Sequence, residues 1–315
     1  SDLVFKIGPR INAAGRIKSG RESVTLMVSG DERQAKEVSK QIDIYKNGRL
    51  QLAFATQNYV YIIDRNGKDV GPFPKKFNDN ITKPLSVFDY DNRKNYRLLV
   101  TQNKSLIMYN TEAKRVNGFK YKRASNTISS QPKHFRIGSK DYIVFSQGEK
   151  LEVLNRQGKE RVTVKGNIEF SNNSIFLYQN KFTTLTNTGQ LAQVNTDGRV
   201  TLKPFDLDTN SNINTTSKTL VAMSDNKLKI KSKILDLDFG NYTMPRIFYL
   251  YDKIYISTTD LDAKKVFIYD SQGKLLPNFP VFGTASIELQ NLDKKRGLEL
   301  ITQSDNKTII VYKIN

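Results

Sequence analysis

The chain of 315 residues contains no cysteine, no tryptophan and a single histidine, His134. The lack of cysteine excludes disulfides and thiolate metal sites, and it leaves the compartment open because such a chain folds in either redox environment. No apolar run approaches the roughly 20 residues that cross a bilayer, so we expect no membrane span. The opening residues Ser1–Lys6 carry no basic stretch followed by an apolar core, and no signal peptide is visible.

Acidic residues are also scarce relative to basic ones: 50 Lys and Arg stand against 31 Asp and Glu, a formal net charge of +19. A field of this sign attracts polyanions such as nucleic acid or an anionic membrane surface. The lysines are spread along the chain in pairs such as Lys75-Lys76 and Lys264-Lys265, with no block of five or six like charges. We therefore favour scattered, solubilising lysines over a dedicated nucleic-acid surface.

One phrase repeats along most of the chain. It consists of an alternating apolar strand, then Asn or Asp, two further residues, Gly and a basic residue. The Asn or Asp side chain can accept hydrogen bonds from backbone amides that follow it, and Gly supplies the positive φ of a tight hairpin. Copies lie at 59–68, 151–159, 191–199 and 266–274, and a degenerate copy at 107–114 has alanine in place of glycine.

A second phrase, an apolar strand that ends in Thr-Gln and a polar turn, precedes the first in several places. It occurs at 47–58, 95–103 and 296–306. Together the two phrases predict four antiparallel strands in about 40 residues, which is typical of a propeller blade. The predicted units lie at 47–81, 83–126, 128–166, 167–208, 211–240, 241–282 and 283–315.

The fold class that follows is all-β: a β-propeller of about seven four-stranded blades, with six or eight as alternatives because the unit at 211–240 is short. The first unit lacks a clear first strand and the last lacks a fourth, as in a ring closed by mixing its end strands. A β-sandwich is disfavoured, since it needs no such repeated turn. The repeats resemble those of FG-GAP and WD-type propellers without matching one family.

The first 46 residues carry no such repeat. Apolar residues at positions 35, 38, 42 and 45 fall on one helical face and predict a helix over Asp31–Tyr45. Asp31 suits its N-terminus, and a shorter helix is predicted at 21–28. The chain is thus divided into a short α-helical N-terminal segment, residues 1–46, and a β-propeller, residues 47–315.

The stretch Ile7–Arg16, IGPRINAAGR, resembles the signature of the RecJ family of single-strand-specific exonucleases in the DHH phosphoesterase group, and the likeness continues to about Tyr45. The resemblance implies that Arg10 and Arg16 contact nucleic-acid phosphates and that Asn12 and Gly15 shape the loop. Two arginines on a Gly/Pro loop before a helix are also a possible anion site in their own right. The simpler alternative is that both arginines are solvated.

The nuclease chemistry of that family needs clustered Asp and His ligands for divalent metals, as in its Asp-His-His motif. This chain has one histidine and neither that motif nor a Gly-Gly-His segment, so we expect no nuclease activity, no metal and no cofactor. The pattern indicates a truncated RecJ-like segment joined near Asp43–Arg49 to an unrelated propeller by gene fusion, mis-assembly of a gene or engineering. A native segment would indicate a cytoplasmic protein; otherwise an exported one with its signal removed is the alternative.

The sequence of the predicted propeller contains no group of residues that indicates a catalytic site. His134 has no carboxylate near it in sequence, so we interpret it as a structural histidine. Asp89 and Asp91 are spaced as in calcium loops, but cationic residues follow them, so we favour turn capping. The aromatic and basic residues alternating at 119–123 could stack on bases, although packing in an outer strand explains them equally. The absence of tryptophan argues against quinone-cofactor dehydrogenase propellers and sialidase-type Asp boxes.

These observations predict a monomeric, non-catalytic interaction scaffold whose loops bind a protein partner. The alternative is a nucleic-acid-binding protein related to RecJ, which contacts single-stranded nucleic acid through its N-terminal segment or its basic surface. A hydrolase or lyase is a third hypothesis and needs several acidic residues to meet at one end of the propeller channel. Fold alone does not decide among them.

Overall fold

The computed structural model describes residues 39–121, 123–292, 297–305 and 307–314, and these residues form 26 strands and no helix. No membrane-spanning helix is therefore found in this part of the chain. The chain divides into two compact units. The first comprises the described residues up to Ile168 together with Thr196–Arg199, and the second comprises Glu169–Asn195 and the residues from Val200 onward.

The first unit contains three antiparallel sheets in which neighbouring strands follow one another along the chain. Sheet 1 consists of β1 (Ser39–Ile42), β2 (Gln51–Ala55), β3 (Tyr59–Ile63) and β4 (Lys75–Lys76). Sheet 2 consists of β5 (Ser86–Phe88), β6 (Arg97–Gln102) and β7 (Ser105–Tyr109). Sheet 3 consists of β8 (Lys133–Ile137), β9 (Lys140–Gln147), β10 (Lys150–Leu154) and β11 (Glu160–Val162).

The second unit contains four sheets of the same design. Sheet 4 consists of β12 (Phe176–Tyr178), β13 (Lys181–Leu185), β14 (Gln190–Val194) and β15 (Val200–Pro204). Sheet 5 consists of β16 (Asn212–Thr215), β17 (Leu220–Ser224), β18 (Lys227–Ile230) and β19 (Lys233–Asp236). Sheet 6 consists of β20 (Arg246–Leu250), β21 (Lys253–Asp260), β22 (Lys265–Asp270) and β23 (Val281–Phe282), and sheet 7 of β24 (Glu288–Gln290), β25 (Leu298–Gln303) and β26 (Ile309–Ile314).

Within each unit, successive sheets bury their faces against each other. In β6, Leu98 and Val100 pack in a cluster with residues of sheet 1, whereas Leu99, which points the other way, packs with Ile143 and Phe145 of sheet 3. A strand with two buried faces needs apolar residues at consecutive positions, and this explains the run Leu98–Val100. Each fully buried side chain of this size stabilises the stack by roughly 1.5–3 kcal/mol.

The second unit repeats this packing. In β17, Leu220 and Ala222 join a cluster with sheet 4, and the alternate residues Val221 and Met223 join one with sheet 6. A further cluster joins the buried residues of β22 to those of sheet 7. Sheets 2, 5 and 6 therefore each lie between two neighbours, as the blades of a propeller do.

The repeated turn has the geometry that its sequence predicts. Asp64 Oδ1 accepts hydrogen bonds from the amides of Asn66 and Lys68, each at 2.8 Å, and Gly67 has a φ of 73°. The same pattern of side-chain hydrogen bonds recurs at Asn110, Asn155 and Asp270. In the degenerate copy, Ala113 takes the glycine position with a φ of 56°. Local chemistry thus directs the chain out of the third strand of four sheets.

The all-β fold and the number of seven sheets are confirmed; six predicted units each contain one whole sheet, whereas sheet 1 begins at Ser39, before its predicted unit at 47–81. Among the described residues five sheets have four strands and two have three: no fourth strand is found in the last sheet, as predicted, nor in sheet 2, where four were expected. The expectation that the first unit lacks its first strand is wrong, because β1 pairs with β2 over Ser39–Ile42. No sheet of the described residues combines strands from both ends of the chain.

The predicted helix over Asp31–Tyr45 is wrong for Ser39–Ile42, which form β1. Ile42 is buried in the core of sheets 1 and 2, and Tyr45, assigned to the same apolar helical face, is 58% exposed. Pairing with β2 outweighs the local 3.6-residue pattern, because tertiary context overrides weak helix propensity. Residues 31–38, the shorter helix at 21–28 and the predicted site residues Arg10, Asn12, Gly15 and Arg16 lie outside the described residues.

Candidate functional site: a basic cleft in the first unit

A cleft with a volume of about 530 Å³ lies in the first unit, and loops of all three sheets line it. Sheet 1 contributes Ile44 and Lys46, which follow β1. Sheet 2 contributes side chains between Tyr90 and Arg97 and between Met108 and Val116, and sheet 3 contributes Arg156 from the turn after β10. We call this the basic cleft, because Lys46, Lys94, Arg97 and Arg156 line it against two carboxylates, Asp91 and Glu112.

Asp43 connects the loops of sheets 1 and 2 at the cleft. It lies directly after β1, and its carboxylate accepts hydrogen bonds from the amides of Asn47 and Gly48 at 3.1 and 2.8 Å. Lys94 Nζ lies 2.5 Å from Asp43 Oδ2. The hydrogen bond from Lys94 is the main reason why the pKa of Asp43 is lowered, and the amides of Gly48 and Asn47 add to it against the effect of burial. The positive charge of Lys94 is therefore already compensated within the protein.

Lys46 and Arg97 are different, since within the described residues they contact only neutral acceptors. Lys46 Nζ donates to Asn95 Oδ1 at 2.8 Å. Arg97 Nη1 donates to the backbone carbonyls of Asn95 and Tyr96 at 3.4 and 3.2 Å. Hydrogen bonds to neutral oxygens hold these side chains without cancelling their charge. The cleft thus carries two uncompensated cations beside the half-buried Tyr96.

Arg156 is held by carboxylates on two sheets. Its Nε lies 2.6 Å from Asp141 Oδ2, and its Nη2 lies 2.8 Å from Asp91 Oδ1. Asp141, whose side chain is only 6% exposed, also accepts hydrogen bonds from Arg136 and His134. Burial raises the pKa of Asp141, but the hydrogen bonds from Arg136, His134 and Arg156 outweigh it and leave the pKa lowered. This buried carboxylate stays ionised and fixes Arg156 at the side of the cleft.

Tyr90 lies between the cleft and this network. The guanidinium carbon of Arg156 stands 4.7 Å from the centre of its ring, and the His134 ring meets it edge-on at 4.9 Å. Burial is the main cause that raises the pKa of Tyr90, so its hydroxyl stays protonated. The Tyr90 hydroxyl is buried and has no hydrogen-bond partner among the described residues. Its role is to support Arg156 through the ring face, a favourable cation–π geometry.

His134 is not as isolated as its sequence neighbours predicted. Its Nε2 lies 2.7 Å from Asp141 Oδ1, because the β8–β9 hairpin pairs Arg136 with Asp141 and places both on the face of His134. Burial lowers the pKa of His134 against the opposing effect of Asp141, so the neutral imidazole donates its Nε2 proton. The partner carboxylate is seven residues away in sequence and lies on the facing strand of the hairpin. The period-two alternation across the hairpin could have revealed this partner.

The structure also shows the surroundings of Asp89 and of the aromatic residues Phe119 and Tyr121. Asp89 accepts hydrogen bonds from the amides of Arg93 and Lys94, which confirms turn capping. Phe119 and Tyr121 pack in the core of sheets 2 and 3, so these rings are not available to stack on bases. The predicted outer strand is not found, because residues 119–121 form no strand. Among the described residues no three His, Asp or Glu side chains form a metal-binding group.

Solved structures share the fold of this chain at low sequence identity. BBS1N, crystallised in complex with ARL6DN and soaked with mercury, superposes with a TM-score of 0.50 at 11% identity, over 88% of this chain and 92% of that one. BamB from Moraxella catarrhalis gives a TM-score of 0.48 at 16% identity, over 87% and 83%. The AfRom2 CNH domain gives 0.46 at 14% identity, over 89% and 94%.

No protein-family model matches the sequence, and no curated protein is similar to it. The RecJ-like interpretation of residues 1–46 gains no support from relatives and stays a sequence-based prediction. At 11% identity, the likeness to BBS1N concerns the fold alone. Seven sheets of three or four sequential antiparallel strands, which bury their faces against neighbours within each unit, together with this likeness, identify the chain as an all-β protein with a propeller-like fold.

Proposed function

We propose that this protein is a non-catalytic interaction scaffold that binds an acidic segment of a partner protein in the basic cleft. The observation that carries this proposal is the pair of cations, Lys46 and Arg97, that contact only neutral oxygens among the described residues. A carboxylate that reaches them gains charge-assisted hydrogen bonds without displacing a protein carboxylate. Charge complementarity of this kind sets partner choice and association rate.

The remaining lining favours a peptide over a bare phosphate chain. Ile44, Met108 and Val116 supply apolar contacts, while Asn95 and Asn110 supply polar ones. A protein segment with both acidic and apolar side chains can use all of these groups, whereas single-stranded nucleic acid would present phosphates and flat bases. The nucleic-acid alternative rests on the net charge of +19 and is tested by the same experiment.

The test measures binding to full-length protein by fluorescence anisotropy. The probe is a labelled twelve-residue peptide of glutamate and leucine, and its glutamine-for-glutamate counterpart is the uncharged control. We expect the acidic peptide to bind and the uncharged one not to bind. The double variant Lys46→Gln/Arg97→Gln should weaken binding roughly tenfold or more, since each lost charge contact near a protein surface is worth about 1 kcal/mol or more.

A matched variant separates the cleft from net charge. Lys68→Gln/Lys76→Gln removes the same charge from exposed positions of sheet 1 outside the cleft and should leave the affinity within about twofold. Equal weakening by both variants would reduce the proposal to non-specific attraction. Tighter binding of labelled oligo-dT, lost in the cleft variant, would instead favour the nucleic-acid function.

Two finer aspects of the architecture belong to the same proposal. We propose that the seven sheets are the blades of one closed propeller, with interaction loops at its faces. We also propose that a RecJ-like segment precedes it, ends before Ser39, where β1 begins, and contacts phosphates through Arg10 and Arg16. Support for the segment is the motif at Ile7–Arg16 alone. Loss of oligo-dT binding in an Arg10→Ala/Arg16→Ala variant, with peptide binding intact, would favour it.

A further inference from the structure

Both carboxylates that line the basic cleft are already paired with cations. Asp91 Oδ1 lies 2.8 Å from Nη2 of Arg156, and Glu112 Oε2 lies 2.9 Å from Nζ of Lys114. Lys94 is compensated in the same way by a buried carboxylate of sheet 1. An anion that enters the cleft therefore meets no unpaired carboxylate among the described residues of the lining, and it does not have to break these pairs.

Lys46 and Arg97 are the two cations of the lining that remain, and the same residue, Asn95, holds both. Lys46 Nζ donates to the side-chain oxygen of Asn95 at 2.8 Å, and Arg97 Nη1 donates to its backbone carbonyl at 3.4 Å. The two charged groups are therefore separated by no more than the span of one asparagine and its two hydrogen bonds. Like charges at short range repel each other, and a group with two negative charges relieves this repulsion most completely.

The donors of these two side chains suit a tetrahedral anion. Both hydrogen bonds that Arg97 makes to the described residues leave from Nη1, so its Nε and Nη2 stay available as a pair of parallel donors. Such a fork matches two oxygens of a phosphate group, and the ammonium group of Lys46 can bind the third oxygen as a point charge. A carboxylate offers only two oxygens and one charge, so it compensates only one of the two cations.

We propose, resting on the function proposed for the cleft, that the acidic partner segment carries a phosphorylated side chain whose phosphate binds to Lys46 and Arg97 together. A phosphate monoester carries about 1.5–2 negative charges at neutral pH, which matches the uncompensated charge of the lining. No side chain of an unmodified protein carries two negative charges, so an unmodified segment of this same chain is not an equivalent occupant. Apolar residues beside the phosphate contact Ile44, Met108 and Val116, which favours a phosphorylated segment over free phosphate.

The test uses the full chain and the labelled peptide of glutamate and leucine, with one central glutamate replaced by phosphoserine. Fluorescence anisotropy compares this peptide with the unmodified acidic peptide. It also compares it with a peptide whose phosphoserine is converted to its methyl ester, a phosphodiester of similar size with a single negative charge. We expect the phosphoserine peptide to bind roughly tenfold more tightly than either, because it forms more charge-assisted hydrogen bonds.

The variant Asn95→Asp places a carboxylate beside Lys46 without changing the size of the side chain. It compensates one of the two cations, so the preference for phosphoserine over glutamate should fall to about twofold or less. Asn110→Asp is the matched control, because it adds the same charge to another asparagine of the lining. Aspartate is the natural residue at this turn position in sheets 1 and 6, so the preference of this variant should stay within about threefold of the wild type. Each variant is judged by the ratio of two affinities, which partial misfolding does not change.

Equal binding of the phosphoserine and glutamate peptides would overturn this inference and leave the proposed function standing, whereas binding of neither peptide would overturn both. Equally tight binding of the methyl ester would favour a nucleic-acid phosphodiester, and it would overturn the inference as well. So would an unchanged preference in Asn95→Asp or an equal loss of preference in Asn110→Asp. Inorganic phosphate should displace the phosphoserine peptide only at concentrations about a hundredfold above the Kd of the peptide, because it lacks the apolar contacts. Displacement near that Kd would assign the cleft to free phosphate and contradict the proposal.

Discussion

Sheets 3 and 7 have the same design up to their third strand and then differ. In sheet 3, β11 covers the third strand β10, and Val153 has no exposed surface. In sheet 7, β26 has no fourth strand among the described residues, and Val311 is 54% exposed. The comparison teaches that the sequence of a third strand does not decide its burial. What decides it is the packing of a neighbouring sheet, since β7 of sheet 2 has no fourth strand among the described residues either and yet buries Leu106 and Met108 against sheet 3.

The two sheets also differ in how their charges are used. Sheet 3 gathers His134, Arg136 and Arg156 around one buried carboxylate, Asp141. In sheet 7 the exposed Lys313 stands 4.0 Å from Glu299, at the limit of a salt bridge. Three basic side chains lie within 3.1 Å of the buried Asp141 and brace the side of the cleft, whereas the buried Glu299 of sheet 7 accepts a hydrogen bond from the amide of Leu292 and lies farther from its lysine. The following predictions test this contrast, in order of expected effect.

The largest effect is expected when the network of sheet 3 loses its centre. Asp141→Ala leaves Arg136 without a carboxylate and Arg156 with only the exposed Asp91, and should lower the free energy of unfolding by about 2–3 kcal/mol. This loss is smaller than the roughly 3–5 kcal/mol that removal of one partner of a fully buried ion pair costs, because the side chains of Arg136 and Arg156 are 45% and 36% exposed. Urea denaturation measures it. Asp91→Ala, which removes an exposed partner of Arg156, should cost less than about 1 kcal/mol; equal losses would contradict the contrast.

A second pair of variants compares the third strands directly. Val153→Ala in β10 removes buried methyl groups and should cost about 2 kcal/mol, since it leaves a cavity under β11. Val311→Ala in β26 should change stability by no more than about 0.5 kcal/mol, because the side chain is largely exposed. The measurement is again urea denaturation of both variants beside the wild type. A loss of 2 kcal/mol at Val311 would mean that part of the protein covers the edge.

A third prediction uses the only histidine of the chain. Burial lowers the pKa of His134 in the folded state, so below its unfolded pKa of about 6.5 the unfolded chain binds the proton more readily. The free energy of unfolding should therefore rise with pH up to about 6.5, with a slope of at most about 1.4 kcal/mol per pH unit. Above that pH the contribution of His134 should be constant.

His134→Gln keeps a donor toward Asp141 but cannot titrate, so it should flatten the stability profile between about pH 5.5 and 7.5. Carboxylates titrate below this window and do not interfere. Denaturation at a series of pH values measures the profile. An unchanged slope in the variant would show that the titrating group lies elsewhere.

The sequence predicted those parts of the molecule that depend on neighbours in the chain. The Asn/Asp and Gly turn is local, and its five copies lie after the third strands of sheets 1, 2, 3, 4 and 6. The helix assigned to residues 39–45 failed because β1 forms through pairing with Gln51–Phe54, which no local pattern reveals. The sequence also predicted no fourth strand for the last unit, and none pairs with β26 among the described residues. The exposure of its apolar side chains was not predicted, since β26 reads like a buried strand.

The basic cleft could not be predicted from sequence. Its cations come from the ends of strands in three different sheets, and Lys46 and Arg156 are brought together only by the stacking of these sheets. Their neighbours in sequence gave no signal of a shared surface. Asp141 is the intermediate case, because a hairpin register places it beside Arg136 and His134 at short sequence separation. Alternation within that hairpin was sufficient to find it.

The smallest expected effect concerns the turn after the third strand, which sheet 2 builds with Ala113 instead of glycine. Its φ of 56° is strained for a residue with a Cβ atom, whereas Gly67 and Gly273 both adopt 73° without cost. Ala113→Gly should therefore raise the free energy of unfolding by about 0.5 kcal/mol, because relief of strain outweighs the greater entropy of the unfolded chain. Ala263→Gly, at an exposed turn without a positive φ, should lower it by a similar amount. If both substitutions destabilise, the positive φ of Ala113 is not strained enough to matter, and the hydrogen bonds to Asn110 are sufficient to hold the turn without glycine.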